Sequence, residues 1–190
     1  MKVYTRKGDD GSTGLLYGGR TGKDDPGPEA YGDVDEAVSA LGLARAHTEA
    51  RSELFELIVR LQRELFVVGA ELATAPANRS KLTPGTSLTT AEMVAALEPI
   101  IDDLTGRYEP PQEFVLPGEN PVAAGLDLAR TVVRRAERSS VAATRAGWLG
   151  ADSQVVPYLN RLADLVYTMA RWQEGDFRPV RTSPTPTQGS

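Results

Sequence analysis

The stretch Leu126 to Arg138, Leu-Asp-Leu-Ala-Arg-Thr-Val-Val-Arg-Arg-Ala-Glu-Arg, leaves the chain little choice of local structure. At about 100° per residue, Leu126, Leu128, Ala129, Val132, Val133 and Ala136 fall on one arc of a helix, with Arg130, Arg134, Glu137 and Arg138 in a band beside it. One face is read as core and the other as a row of guanidinium groups. Arginines at i, i+4 and i+8 repel, each pair by roughly 0.2–0.5 kcal/mol on an exposed helix. Glu137, three residues from Arg134, offsets only part of that. Two readings are open: a solvated face paired with carboxylates of neighbouring helices, or a site for a polyanion. Arginine suits the second because its planar fork grips phosphate oxygens in pairs and stays charged when dehydrated.

Composition narrows the partner. A net charge of -5 opposes general nucleic-acid binding, which draws on a broad positive field, so the basic row is read as a site for something small. With no Cys and a single His47, thiolate nucleophiles, disulfides and multi-His metal sites are excluded. No apolar run approaches the roughly 20 residues of a membrane span, and the first residues lack a signal-peptide core, so a cytoplasmic protein is expected.

Residues 1–25 differ from the rest. Gly8, Gly11, Gly14, Gly18, Gly19 and Gly22 alternate with Lys7, Ser12, Thr13, Arg20 and Lys23. Such spacing lets backbone N–H groups turn inward around an anion, with hydroxyls and cations at the rim. The alternative is a flexible, functionless N-terminus. It is neither a Walker A loop, because Leu15 follows Gly14, nor a dinucleotide fingerprint. Val3 and Tyr4 form at most a short extended piece, and no strand pairing is expected.

Apolar residues at helical spacing then predict five helices: about 26–47, 51–74, 89–107 with Pro99 kinking the helix or lying in a bend, 120–146 and 153–173. Thr89 to Glu92 reads as a capping box, and Asn120–Pro121 as the cap and first turn of the arginine helix. Residues 76–88 form a long Pro-, Asn-, Ser- and Thr-rich connection, mobile or a lid. Glu113 to Gly118 is an apolar run too short for a helix, in which Phe114 reads as a plug on the core. Asn160 is either a satisfied helix–helix hydrogen bond or a ligand contact. His47 reads as a charge at a helix C-terminus rather than a catalyst. The fold class is an all-α five-helix bundle behind a Gly-rich nucleotide-binding segment: one domain over 1–174 (loop 1–25, bundle 26–174) and a disordered tail, 175–190.

Blocks in one order along nearly the whole chain carry a family likeness: Tyr4-Thr-Arg-Lys-Gly-Asp-Asp-Gly-Ser-Thr-Gly-Leu, Gly19-Arg20, Lys23-Asp-Asp-Pro, Ala30-Tyr-Gly, Val34-Asp-Glu, Phe114-Val-Leu-Pro-Gly, Ala129-Arg-Thr-Val-Val-Arg-Arg-Ala-Glu-Arg and Tyr158-Leu-Asn-Arg-Leu-Ala-Asp. The chain resembles the PduO-type ATP:cob(I)alamin adenosyltransferases. That resemblance implies a homotrimer of five-helix bundles, with ATP and corrinoid at subunit interfaces. It implies transfer of the 5′-deoxyadenosyl group of ATP to the cobalt of cob(I)alamin, giving adenosylcobalamin and triphosphate. Thr5, Arg6, Lys7, Gly8, Thr13, Gly14 and Lys23 are then expected to wrap the phosphates. Arg134, Arg135, Glu137, Arg138 and Asn160 would complete the ATP site, Arg130 would pair with Asp35 of a neighbour, and Phe114 would pack at the corrin ring. Arg130, Asp35, Arg134 and Glu137 are the expected catalytic set, with Mg²⁺ accompanying ATP through ligands the sequence leaves unknown. A reductase and an adenosylcobalamin-dependent enzyme are the expected partners, with no nucleic acid and no membrane. Two departures from the family pattern are Arg6, where Lys is common, and Pro-Gly-Glu-Asn after Leu116, where a second Gly is frequent.

Two other classes remain open. A bundle that hydrolyses or senses ATP has no use for an apolar group at Phe114. A helical interaction protein would set the arginines against an acidic partner and bind no nucleotide.

Overall fold

A computed structural model describes residues 4–181; Val3 and the tail from 182 onward lie outside the described residues. The described order is β1 (Ser12–Gly14), β2 (Arg20–Gly22), α1 (Pro26–Arg45), α2 (Glu53–Leu72), a 3-10 helix (Pro76–Lys81), α3 (Ala91–Ala95), α4 (Glu98–Thr105), α5 (Pro121–Arg145) and α6 (Val155–Glu174). The all-α bundle is as expected, with two differences.

The helix expected over 89–107 is two helices. Thr90, rather than Thr89, caps α3 by accepting from the Met93 N–H at 3.3 Å, and the break falls at Leu97, so that Pro99 lies in the first turn of α4. A proline costs nothing there because a first-turn N–H has no intrahelical partner. The second difference is at the N-terminus, where β1 and β2 form an antiparallel ribbon, Ser12 opposite Gly22 and Gly14 opposite Arg20. Each strand has three residues, too few for an alternation to declare itself in sequence.

The arginine helix α5 is central, packed on α1 along one flank and α6 along the other. Asn120 caps it, its side chain accepting from the Ala123 N–H at 2.9 Å. Small residues let α1 and α5 approach closely: Ala37, Ala40 and Ala44 on α1 and Gly125, Ala129 and Ala136 on α5 are all buried, and a Cβ on Gly125 would lie 2.9 Å from the Ala44 Cα. The core is completed by Leu41, Ile58, Leu61, Leu65, Leu126, Leu159 and Leu162, all fully buried. Such side chains contribute roughly 1.5–3 kcal/mol each.

One residue of the expected α5 core arc is misplaced. Leu128 is 49% exposed, whereas its neighbour Asp127 is 5% exposed, because Asp127 turns inward to bind the guanidinium of Arg171, itself 2% exposed. The other five residues of that arc, Leu126, Ala129, Val132, Val133 and Ala136, are buried as expected, so the buried pair across α5 and α6 displaces Leu128 alone.

Beyond α6 the chain does not leave the fold at once. Val180 N–H donates to Phe114 O and Leu116 N–H to Arg178 O, both at 2.8 Å, and Arg178 Nε meets Glu119 Oε1 at 2.8 Å. Residues 178–180 thereby fasten the Phe114 loop, although 175–190 as a whole was expected to be disordered. After α5, Trp148 turns back onto the start of α1. A Cβ on Gly27 would lie 2.0 Å from its ring, and its indole N–H donates to Leu72 O at 2.7 Å.

Candidate active site

The N-terminal segment folds into a cavity of about 300 Å³ lined by Thr5, Lys7, Gly8, Ser12, Thr13, Gly14, Arg20 and Lys23. Close approach requires glycine at position 8, where a Cβ would sit 3.0 Å from Ser12 O and 3.2 Å from Lys23 Nζ. Lys23 Nζ donates to Gly8 O at 2.8 Å, and Arg20 Nε donates to Ser12 Oγ at 3.1 Å. Gly18 and Gly19, at φ 96° and 97°, close the turn between the strands in a region that side-chain-bearing residues avoid. The N-terminal segment thus holds three cations, Lys7, Arg20 and Lys23, and three hydroxyls, Thr5, Ser12 and Thr13, around one concavity. Arg6 does not line it; its backbone is left-handed at φ 62° and its guanidinium lies 5.7 Å from the Tyr4 ring centre.

The arginine row lines different cavities. Arg134, Glu137, Arg138, Val141 and Arg145 surround one of about 380 Å³, and Arg130, Arg134, Ala163, Asp164 and Tyr167 one of about 210 Å³. Arg134 is common to both. Asn160, from α6, donates to Glu137 Oε1 at 3.1 Å, so the bundle brings these two expected site residues together. Arg138 Nη1 donates to Arg134 O at 3.0 Å, a contact that lays its fork along the helix. Arg135 turns the other way, toward α1. Its Nε is 3.0 Å from Asp33 Oδ1, its Nη2 meets Glu36, and these carboxylates, Glu36 foremost, hold its pKa above the ordinary arginine value.

Asp35 and Arg130 do not meet within the chain. Asp35 is exposed on α1, at the edge of an apolar groove of about 460 Å³ between α1 and α2. Arg130 Nε instead lies 3.4 Å from Asp127 Oδ1. Phe114 is 89% exposed, which excludes the reading of a plug in this chain's own core. His47 is exposed in the turn after α1.

A family described as cobalamin adenosyltransferase matches residues 3–173. A corrinoid adenosyltransferase of Citrobacter freundii is 42% identical over 173 residues, covering 91% of this chain and 95% of its own length. One of Bacillus subtilis is 39% identical, covering 90% and 86%. Among solved structures, a Phe-to-Ala variant of a PduO-type ATP:corrinoid adenosyltransferase from Lactobacillus reuteri, complexed with cobalamin and ATP, superposes with a TM-score of 0.82 at 29% identity, covering 95% of this chain and 100% of that one. An Arg-to-Lys variant from the same organism, complexed with ATP, gives 0.79 at 29% identity, covering 94% and 100%.

The chain belongs to the cobalamin adenosyltransferase family. It is an enzyme of that class, a transferase of the adenosyl group from ATP to a corrinoid. No described helix of this adenosyltransferase is long and apolar enough to cross a membrane. Sequence reasoning set Ser12 and Arg20 at the rim of an anion cradle but not among the residues expected to wrap the phosphates; both line the cavity. Their signal was present in the Gly19-Arg20 block, but the partner of Arg20 is a hydroxyl across the ribbon, and the ribbon itself was not foreseen. It also passed over Glu71, fully buried on α2. The signal there was positional: Glu71 is three residues past Val68, on the apolar arc.

Proposed function

We propose that the chain transfers the 5′-deoxyadenosyl group of ATP to the cobalt of cob(I)alamin at a site shared between subunits of a homotrimer, the cradle of one meeting the arginine helix of a neighbour. The observation that carries this reading is the separation of the two cationic regions: the cradle and the row Arg130–Arg134–Arg138 line different cavities, with no residue in common. In this reading a second copy brings both to one triphosphate.

The cobalt of cob(I)alamin attacks C5′ of the ribose with its own electron pair, the C5′–O bond breaks, and triphosphate leaves with the bonding electrons. No general base is required. The protein supplies orientation and stabilisation of charge on the leaving group. Thr5, Lys7, Gly8, Thr13, Gly14 and Lys23 hold the phosphates from one side; Arg134 and Arg138 meet them from the other, with Glu137 and Asn160 oriented by their mutual hydrogen bond. Arg135, engaged by Asp33 and Glu36, acts by fixing α5 on α1. Asp35 pairs with Arg130 of a neighbouring subunit, aligning the two half-sites. Phe114 packs beneath the corrin, excluding a lower ligand so that the cobalt reduces more readily.

Among the described residues, no group of three or more His, Asp or Glu could hold a metal ion. That donor set fits a Mg²⁺ carried by the phosphate oxygens and water rather than one caged by protein. Its chemistry is to neutralise the triphosphate. The proposed reaction calls for a one-electron reductase upstream and an adenosylcobalamin-dependent enzyme downstream, and the cytoplasm is the compartment proposed for it.

The test mixes two inactive variants. Lys23→Ala and Arg134→Ala homotrimers, supplied anaerobically with ATP, Mg²⁺ and chemically reduced cobalamin, should each fail to form adenosylcobalamin as read by its absorption spectrum. Reassembled together, they should regain part of the parent rate, because some interfaces then pair an intact cradle with an intact arginine row. No recovery in mixed trimers of verified composition would mean that both half-sites act within one chain.

A further inference from the structure

Glu71 has no part in the adenosyl transfer as described above, yet it is fully buried in the core arc of α2. Its carboxylate collects donors from two segments distant in sequence. Arg79 Nη2 lies 3.1 Å and Ser153 Oγ 2.6 Å from Oε1, and the Thr89 N–H lies 2.8 Å from Oε2. Arg79 and Thr89 are near the two ends of the 76–90 connection, and Ser153 lies in the loop that follows the arginine helix. An apolar side chain would fill the same space with less desolvation, but it could fasten neither segment.

The connection held by Glu71 carries the turn of the cradle ribbon. Asn78, adjacent to Arg79, donates from Nδ2 to Gly18 O at 3.1 Å, and Lys81 Nζ reaches Tyr17 O at 3.4 Å. The Tyr17 hydroxyl is 3.1 Å from Ser87 Oγ, and the Leu16 N–H donates to Ala73 O at 2.9 Å. Every one of these links joins residues 16–18 to the stretch 73–87. From the loop side, Arg79 Nη1 lies 3.5 Å from Trp148 O.

We propose that Glu71 is a positioning residue for the nucleotide: through Arg79 and the 76–90 connection it fixes where the ribbon, and with it the phosphate cradle, stands relative to the bundle. This rests on the reading of residues 5–23 as the nucleotide cradle. A ribbon released from Glu71 samples orientations out of register with the arginine row. Apparent ATP affinity then falls by the fraction of time the cradle is misplaced, while chemistry in the complexes that do form is unaltered. The signature is a change in KM for ATP without a matching change in kcat.

The experiment compares Glu71→Gln, Arg79→Met, Asn78→Ala and the double variant Arg79→Met/Asn78→Ala with the parent, by circular dichroism, calorimetric titration with ATP and steady-state kinetics with both substrates. Gln retains the shape of Glu71 but turns an amide N–H toward one of three donors. Arg79→Met cuts the link from a side chain that is 21% exposed, and carries the test should the Gln variant not fold. The expected result is a rise of about tenfold in KM and Kd for ATP, with kcat and the KM for cobalamin within about twofold. The double variant should be no worse than the stronger single one, since both changes cut one strap. Lys23→Ala separates the two ideas. If it weakens ATP binding while folded Glu71→Gln and Arg79→Met keep parental affinity, Glu71 is a stability residue only and the inference fails with the cradle intact. If Lys23→Ala also leaves affinity unchanged, the cradle reading fails and takes the inference with it. A fall in kcat at constant KM overturns the inference as well.

Discussion

The proposed phosphate cradle and the arginine helix both carry positive charge, but one does so on a surface ribbon of three-residue strands and the other on a helix whose opposite face is core. In the cradle the cations are tied to their own loop, Lys23 to Gly8 O and Arg20 to Ser12 Oγ, so its shape is a property of backbone and glycine. In α5 the shape is fixed by Ala, Val and Leu packing, and the exposed Arg134 is free to answer the ligand. The two regions should therefore fail differently. Changing a functional side chain on the helix should harm chemistry and spare the fold; changing the backbone requirement of the cradle should harm binding and spare both fold and helix.

The largest expected effect is from Arg134→Ala. Loss of a charge-assisted contact is worth about 1.5–3 kcal/mol, one to two decades in kcat/KM, while an exposed position leaves the melting temperature close to the parent's. Activity equal to the parent's would dissolve the contrast. The buried face of the same helix should behave in the opposite sense. Gly125→Val places a Cβ 2.9 Å from the Ala44 Cα, and overpacking of that kind costs about 1–3 kcal/mol of stability, read from chemical denaturation. Gly8→Ala then sharpens the comparison from the cradle side. The added methyl crowds Ser12 O at 3.0 Å and Lys23 Nζ at 3.2 Å, so ATP affinity should drop by about 1 kcal/mol, one weakened hydrogen bond, with an unchanged thermal transition.

The smallest effect concerns Glu119. The hydrogen bond from Arg178 holds this carboxyl below its ordinary pKa. A depressed carboxylate contributes stability above its unfolded pKa, about 4.3, and loses it as pH falls through the lower folded value. Chemical shifts of Glu119 should thus titrate below the free-glutamate range, and Arg178→Gln should return them to it. A normal titration in the parent would mean that the clasp on the Phe114 loop is open in solution.

Helical periodicity carried most of the bundle into view, because α2 and α5 repeat their apolar residues over several turns. It misled where a polar pair replaced an apolar contact. Leu128 was placed in the core arc and Asp127 was not, since the partner of Asp127, Arg171, lies 44 residues away and no local pattern announces it. Glu71 was hidden for the same reason: its partners Arg79, Thr89 and Ser153 become neighbours only when the fold forms. The break at Leu97 went unseen because Pro99 was read as a kink or a bend, although a proline starts a helix more easily than it bends one. Within the candidate site, glycine and lysine marked the cradle, whereas the burdened state of Arg135 followed from Asp33 and Glu36 on another helix.

The two tryptophans stand in unlike surroundings, and this makes the chain its own optical instrument. The indole of Trp148 is wedged over Gly27, where the cradle joins α1, and is hydrogen-bonded to Leu72 O; Trp172 is stacked by the Arg107 guanidinium at 5.4 Å, near the far end of α6. Substituting either by Phe leaves one emitter. A protein retaining Trp148 alone then reports by fluorescence on the junction between the proposed cradle and α1. One retaining Trp172 alone reports on the end of the bundle that carries the Phe114 loop, so binding of the two substrates becomes separable in a single cuvette.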